Sequence, residues 1–338
     1  MTRPRDGPLL RALDRKLLRD LVRLRGQVLA IALVVACGVA TVVTTRTAYE
    51  SLVGARADYY ARYRFADVFA HLKRAPEALR ARLAAIPGVA AAETRVVASV
   101  TLDVPGQDEP AAGLLVSLPD GGEPLLNAVH LRSGRRLDPS RRDEVLVSEA
   151  FAKANRLQVG DSLGAVMNGR WERLHIVGIA LSPEYVYEIR PADLFPDPER
   201  FGVLWMSRAA LGPAFDLDGA FNDVSLKLAA DASETGVIAQ VDRLLERYGG
   251  LGAYGRSEQV SARFVADEIA QNRITGTVLP AIFLGVAAFL LHIVLSRLVS
   301  MQREQIAVLK AFGYTTADVG AHYLKLVAVL TAAGIGLG

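Results

Sequence analysis

The chain has 338 residues, of which 51% are hydrophobic and 22% are charged, and its mean hydropathy is +0.24. This composition excludes a disordered or collagen-like chain, and the length favours about two domains. The single cysteine, Cys37, excludes an intramolecular disulfide framework and a cysteine-cluster metal site. Because the formal net charge is only +3, the placement of charge along the chain is more informative than its sum.

Two long stretches without charge are predicted to be transmembrane helices. They are residues 26–45 and 274–296, and each is bounded by arginine on both sides. At about 1.5 Å per residue, twenty helical residues span roughly 30 Å, the thickness of a bilayer core. A third apolar run, 326–338, is too short to cross and is interpreted as the start of a third span. We therefore expect the chain to be the front portion of a longer protein.

The first span has two alternative interpretations. A cleaved signal peptide is disfavoured because the apolar stretch is too long and lacks a small-residue cleavage site followed by polar residues. A lipoprotein signal is suggested by the sequence from Val34 to Cys37, but the apolar run continues to Val43, where such a signal would turn polar. The pattern favours a retained span in which Cys37 is a small helix residue.

The distribution of basic residues predicts the orientation in the membrane. Residues 1–25 hold eight basic and three acidic side chains, and residues 297–338 hold four and two. Residues 46–273 hold 27 basic and 31 acidic side chains. Because basic flanks remain in the cytoplasm, the segments 1–25 and 297–325 are predicted to be cytoplasmic and 46–273 extracytoplasmic. The predicted location is the plasma (inner) membrane, and the basic character of the chain requires no nucleic acid partner.

The fold class predicted for residues 46–273 is α+β, with two lobes between transmembrane helices. A lobe of βαβ type is expected over about 64–118 and 222–256, and a mainly-β lobe is expected to be inserted at about 123–208. The elements predicted for the first lobe and the stalk before it are a helix over 49–63, a strand over 66–71, a helix over 76–86 that begins at proline, a β run over 91–104, a strand over 223–228, a helix over 233–248 and a strand near 251–254.

The inserted lobe carries its own signals. They predict a strand over 144–148, a helix over 149–155, and a hairpin of 162–167 and 171–177 around the turn Asn168-Gly169.

No catalytic, cofactor or metal site is predicted. The sequence contains no phosphate-cradling G-x-x-x-x-G-K-[ST], no G-x-S-x-G and no H-E-x-x-H, and its five histidines are not at ligand spacing. The basic pairs Arg135-Arg136 and Arg141-Arg142 are interpreted as solvated, with an anionic ligand or lipid headgroup as the alternative. We therefore do not expect the chain to be an enzyme.

The most specific segment is 297–325, which predicts an amphipathic helix-turn-helix. Its first helix is expected to end at Gly313, and the second to be capped by Thr315 or Thr316 and to begin at Ala317. The predicted apolar side of the first helix holds Ile306, Val308, Leu309 and Phe312, and the opposite side holds Arg303, Glu304 and Lys310. A connector that merely lies on a surface is an equally compatible interpretation.

This segment resembles the permease subunits of ATP-binding-cassette (ABC) transporters of the FtsX/MacB type, which include lipoprotein-releasing permeases. Their pattern R-x-x-E-I-x-x-L-[KR]-A-[ILF]-G is similar to residues 303–313, REQIAVLKAFG. The end of the segment, Leu309 to Gly313, fits closely. The departure is that Arg303 directly precedes Glu304, so the usual acidic-isoleucine pair is split by Gln305. The pattern G-R-R-L, E-V-L-V-S and G-D-S-L within 134–163 also resembles that of the family's ectodomain.

The resemblance implies a permease without chemistry of its own, coupled to a separate cytoplasmic ATPase that moves its extracytoplasmic domain. The implied cargo is a lipid, lipoprotein, peptide or drug-like molecule, and the implied partners are the ATPase, the lipid bilayer and a second permease half in a dimer or pseudo-dimer. No cofactor is implied. The residues that the resemblance assigns to ATPase coupling are Arg303, Glu304, Ile306, Leu309, Lys310, Phe312 and Gly313.

Two other classes of protein share part of this layout. A membrane-spanning sensor with an extracytoplasmic ligand-binding domain explains the first two spans but not the third apolar run. A membrane-anchored enzyme lacks a recognisable site in this sequence.

Overall fold

The computed structural model describes residues 12–23, 25–190 and 193–338. Long helices lie near both ends of the described chain, and the strands of two β-sheets lie between them in sequence. The first eleven residues of the predicted basic tail lie outside the described residues. Two compact units are formed, one from residues up to 53 with 269–338 and the other from 54–268. The helices are α1 (Ala12–Arg23), α2 (Arg25–Arg62), α3 (Leu79–Ala84), α4 (Glu149–Ala154), α5 (Arg208–Ala214), α6 (Glu234–Leu245), α7 (Val260–Met301), α8 (Arg303–Ala311) and α9 (Thr316–Leu337).

Three of these helices are long and apolar enough to cross a membrane, namely α2, α7 and α9. Helix α2 contains the predicted span 26–45 and the predicted stalk helix 49–63, and α7 contains the span 274–296. The prediction for the third span was wrong in one respect. The short helix expected from 317 and the span expected from 326 are one continuous helix, because nothing between Ala317 and Leu326 interrupts it.

The apolar faces of these helices pack against one another in the first unit. Ile31 and Val35 of α2 are buried against Ala287 of α7. Leu326 and Leu330 of α9 are buried with Leu298 of α7, and residues of α1 pack on this cluster. At Gly334 an added Cβ would lie 2.6 Å from the Cβ of Val35, so glycine permits the close approach of α9 to α2.

The second unit contains a four-stranded and a seven-stranded sheet. The strands are β1 (Val68–Pro76), β2 (Val89–Arg95), β3 (Val97–Asp103), β4 (Ala111–Leu118), β5 (His130–Gly134), β6 (Glu144–Ser148), β7 (Ser162–Met167), β8 (Arg170–Leu181), β9 (Phe201–Ser207), β10 (Ala220–Leu228) and β11 (Gly250–Gly255).

The smaller sheet has the order β11-β1-β10-β2, and all of its pairings are antiparallel. Each βαβ connection therefore skips one strand, as β1-α3-β2 passes over β10 and β10-α6-β11 passes over β1. This is the split βαβ arrangement of ferredoxin-like folds. Leu79 and Leu83 of α3 and Val237 and Val241 of α6 are buried in the core formed with this sheet.

The larger sheet has the order β5-β8-β6-β9-β4-β3-β7, and β7 also pairs with β8. The first half of β8 pairs with β7 and the second half with β6, so the pairing runs in a closed cycle of six strands. The predicted hairpin is present. Asn168 and Gly169 have φ values of 47° and 79°, which a two-residue hairpin turn of type I′ requires.

Three sequence predictions for the second unit need correction. Pro76 ends β1 instead of opening a helix, and the helix begins later, at Leu79. The β run over 91–104 is two strands that separate at Val96 and enter different sheets. The first lobe was expected to continue to about 118, but β3 and β4 pair with each other and belong to the larger sheet. The inserted lobe therefore begins at 97 and not near 123. The sequence prediction failed here because hydrophobic alternation does not show which strands pair.

Candidate functional site

The segment predicted to couple the chain to an ATPase, 297–325, contains a break between two helices at Gln302. Helix α7 ends at Met301 and α8 begins at Arg303, so Gln302 alone separates them, with φ −103° and ψ 18°. The Gln302 side chain is buried. Its Oε1 accepts hydrogen bonds from Lys16 Nζ and, at 3.0 Å, from the Tyr323 hydroxyl. Its Nε2 donates to Asp20 Oδ1 at 3.4 Å.

These contacts fix α1 and α9 to the turn between α7 and α8. Lys16 also pairs with Asp20 at 2.7 Å along α1. On α9, His322 Nε2 lies 3.8 Å from Asp20 Oδ2. Sequence reasoning missed α1 and this polar cluster entirely. The one available signal was the four-residue spacing of Leu17 and Leu21, which places both on one face of a helix that packs against the apolar cluster of α7 and α9.

The other end of α8 is closed by two capping motifs. Gly313 has φ +89°, its N–H donates to Lys310 O, and the N–H of Tyr314 donates to Leu309 O. This is the Schellman arrangement, which favours glycine at the left-handed position. The hydroxyl of Thr315 then accepts from the Asp318 N–H, while the Asp318 carboxylate accepts from the Thr315 N–H at 2.8 Å. The predicted stop at Gly313 is confirmed, and Thr315 is the cap.

The apolar residues of α8 lie on one side of the helix, as predicted, but they differ in exposure. Ile306 and Leu309 are half-buried, whereas Val308 is 54% exposed and Phe312 is 79% exposed. At about 100° per residue the four side chains occupy one arc of roughly 160°, and Val308 and Phe312 lie together at one edge of it. The exposed pair gives α8 an unpartnered apolar stripe that ends at Phe312.

The seven predicted coupling residues are thus brought together on one short helix and its cap, and none of them is buried. Arg303, Glu304 and Lys310 are exposed and have no ion pair within the described part of the chain. The site can bind a partner through apolar side chains and solvated charge. Among the residues that the structure describes, no group of three or more His, Cys, Asp or Glu side chains is placed to hold a metal ion.

The two basic pairs singled out in the sequence are partly used within the protein. Arg135 binds the buried Glu144 carboxylate through both of its terminal nitrogens, one of them at 2.7 Å, and Arg141 reaches the same carboxylate at 3.2 Å. The hydrogen bonds from Arg135 lower the pKa of Glu144 to about 2. All four arginines are exposed, as the sequence predicts, and Arg135 and Arg141 in addition pair with Glu144.

Comparison with solved structures finds similar domains of transporters. The extracellular domain of the noncanonical ABC-type transporter YknZ from Gram-positive bacteria is 12% identical, with a TM-score of 0.36 over 56% of this chain and 98% of that one. The periplasmic region of MacB from Actinobacillus actinomycetemcomitans is 10% identical, with a TM-score of 0.35 over 64% and 98%. A domain of a putative permease protein from Porphyromonas gingivalis is 14% identical, with a TM-score of 0.31 over 55% and 81%. No curated protein matches the chain.

The decisive comparison concerns the part of the chain that contains the candidate site. Residues 277–338 match the family of the FtsX-like permease C-terminal domain. The matched region covers most of the apolar part of α7, all of α8 and all of α9. This match agrees with the resemblance seen in residues 303–313, so the segment that contains the candidate site is similar to the FtsX-like permease C-terminal domain.

Proposed function

We propose that the chain is the membrane subunit of an ABC transporter and that a separate cytoplasmic ATPase docks on α8. In this proposal the segments 1–25 and 297–315 are cytoplasmic, residues 46–273 are extracytoplasmic, and the cargo is a lipid, lipoprotein, peptide or drug-like molecule. A second permease half completes the transporter as a dimer or pseudo-dimer. The observation that carries the proposal is the exposed stripe of Val308 and Phe312 on a helix that is held at both ends.

The contacts that fix both ends of α8 support this proposal. An apolar face on a mobile segment binds a partner weakly, because the new contacts must first offset the conformational entropy that is lost when the segment becomes ordered. Here Gln302 is held by three side chains at the start of α8, and the Gly313 and Thr315 caps define its end. A short amphipathic helix of this kind suits a hydrophobic groove, in which an exposed aromatic side chain serves as the anchor.

One unbroken helix, α7, connects the proposed docking site to the second unit. Helix α7 leads directly from the Gln302 turn back to Val260. A displacement of α8 by nucleotide-driven closure of the ATPase would be passed along α7, because a continuous helix transmits motion along its axis. The third long helix, α9, also fits a permease better than the sensor, whose last span leads into a soluble signalling domain.

Replacement of the anchor tests the proposal. Phe312→Asp in the full-length permease is expected to weaken binding of the ATPase by about thirtyfold, since a lost anchor costs about 2 kcal/mol. The measurement is the amount of ATPase that co-purifies with the permease, normalised to the permease recovered from membranes. Val308→Asp should act in the same direction.

The matched control is Ala307→Asp, which adds the same charge to α8 at about 140° around the helix from Phe312. This variant is expected to retain the ATPase. Leu309→Asp is less informative, because Leu309 is half-buried and the change also affects the local packing. Full co-purification with Phe312→Asp and Val308→Asp would show that α8 is not the docking element.

A further inference from the structure

A cleft in the second unit lies between the end of α2 and the start of α7, and it is unrelated to the coupling segment. Its volume is about 660 Å³, within the range of ligand-binding sites. The polar residues that matter are Arg56, Tyr60, Lys227, Arg256, Arg263 and Asp267, and most of the remaining wall is alanine. The small alanine side chains leave the space open, and the cations line it. We name it the stalk cleft.

We propose that the stalk cleft binds the phosphate group of an anionic ligand. Four cationic side chains line it, whereas only two carboxylates offset them. Asp67 is shared by Lys227, at 3.0 Å, and Arg256, and Asp267 is the one acidic residue in the lining. Arg56 and Arg263 have no ion-pair partner within the described ranges, although Arg56 is half-buried. Burial of a cation without a counter-charge is costly, and an anion bound in the cleft would remove that cost.

Arg256 is positioned in advance for such a ligand. Its Nε donates to Ala66 O at 2.8 Å, and its Nη2 donates to Phe65 O at 3.0 Å and to Asp67. Its guanidinium also lies 5.1 Å from the ring centre of Phe65 and 5.7 Å from that of Tyr60. These contacts fix the side chain, while Nη1 has no acceptor among the residues that the structure describes. A planar guanidinium held in this way suits phosphate oxygens.

A second donor in the same wall lacks a partner. The hydroxyl oxygen of Tyr60 is buried and makes no hydrogen bond to any described residue. Leaving a buried hydroxyl without a partner is unfavourable, and a ligand oxygen that accepts its hydrogen bond would remove that cost. Two unsatisfied donors and two unpaired cations together indicate a phosphate, which offers more acceptors than a single carboxylate does.

The phosphate could belong to a lipid headgroup or to a soluble phosphate compound. The helices that line the cleft, α2 and α7, also contain the uncharged stretches 26–45 and 274–296. The experiment therefore compares both sources. The chain 1–338 is purified in a neutral detergent and titrated by calorimetry with dihexanoyl phosphatidylglycerol in one arm and with inorganic phosphate in the other.

The test variant is Arg56→Gln/Arg263→Gln, and the matched control is Arg62→Gln/Arg243→Gln, which removes two exposed arginines outside the lining. We expect binding to the test variant to be about tenfold weaker or more, and binding to the control to stay within about twofold, because only the former loses charge-assisted contacts. Tyr60→Phe, which removes only the hydroxyl, is expected to weaken binding without affecting the fold.

Each outcome decides the proposal. Arginine-dependent binding of the lipid but not of phosphate supports a headgroup site, and equal arginine-dependent binding of phosphate supports a soluble ligand. Absence of binding in both arms, or the same loss in the test and control variants, overturns the proposal. None of these results depends on an ATPase, so they can be told apart from a failure of the proposed function.

Discussion

The guanidinium of Arg95 makes two parallel hydrogen bonds, of 2.5 and 2.9 Å, to the carboxylate of Glu184, and both side chains are buried. Its Nε also donates to Asp223 at 2.7 Å. Arg95 is the last residue of β2, next to the point where the chain leaves the smaller sheet, and Asp223 lies on β10 of that sheet. Glu184 follows β8 of the larger sheet. One cation therefore joins the two sheets of the second unit.

Removal of that cation should destabilise the second unit strongly. Arg95→Met leaves the buried Glu184 carboxylate without its counter-charge and leaves Asp223 with His71 alone, at 2.7 Å. Breaking a buried ion pair in this way typically costs about 3 to 5 kcal/mol. The measurement is denaturant unfolding of the chain in detergent, followed by the fluorescence of the buried Trp205. Arg82→Met, at an exposed position of α3, is the control and should change stability by less than about 0.5 kcal/mol. An equal effect of the two substitutions would contradict the role assigned to Arg95.

The stability of the same unit should depend on the protonation of Glu188. Burial raises the pKa of Glu188 from 4.5 to about 7, although the Ser148 hydroxyl donates to its carboxylate at 2.6 Å. Between these two values the folded chain holds a proton that the unfolded chain releases, so stability falls as the pH rises through this window. The loss should amount to about 3 kcal/mol.

Glu188→Gln should remove most of this decline between pH 4.5 and pH 8, because glutamine does not titrate. Trp205 fluorescence at a series of pH values provides the measurement. Glu172→Gln, at an exposed position of β8, should keep the decline of the original chain. A decline that persists in the Glu188 variant would assign the pH dependence to another group.

Gln302 should hold α1 in place. Gln302→Ala removes the acceptor of Lys16 and Tyr323, and losses of this kind cost about 1 to 2 kcal/mol. We expect α1 to detach more often and trypsin to cut at the exposed Arg15 and Arg19 about five- to thirtyfold faster.

The control for this experiment is Gln305→Ala, which removes an exposed glutamine from α8. Mass spectrometry of the first fragments gives the rates of cleavage. Equal rates for both variants would show that α1 is held by its apolar contacts alone.

The distribution of charge predicts the topology of the membrane helices. A reporter that is active only outside the cytoplasm should be active when fused after residue 120, and inactive when fused after Gly313. The reason is the charge of the segments 1–25 and 297–338, which are basic, whereas 46–273 is slightly acidic. A cytoplasmic reporter should give the reverse pattern. Activity of the first reporter after Gly313 would contradict both the topology and the proposed docking site.

The sequence was most informative where one local signal determines the structure. Uncharged stretches defined the helices that can cross a membrane, and Asn168-Gly169 defined a hairpin. Gly313 defined the end of α8, because only that residue type takes the left-handed position at little cost. The failures were of another kind. The separation of β2 from β3 at Val96 depends on strand partners far away in the sequence, and a regular pattern does not reveal them. The Gln302 contacts join residues that lie 286 apart in sequence, such as Lys16, and no spacing rule predicts them.

Because α2 is continuous through the stalk, the number of residues in the stalk sets the direction in which its later side chains point. One residue inserted between Arg46 and Tyr60 would turn the later residues of α2 by about 100° around the helix axis, and four residues by only about 40°, because each helical residue turns the chain by a fixed step. Insertions in the turn between β3 and β4 carry no such constraint. Tolerance to insertions should thus be periodic in the stalk, with recovery near four and seven residues, and should show no such period in that turn.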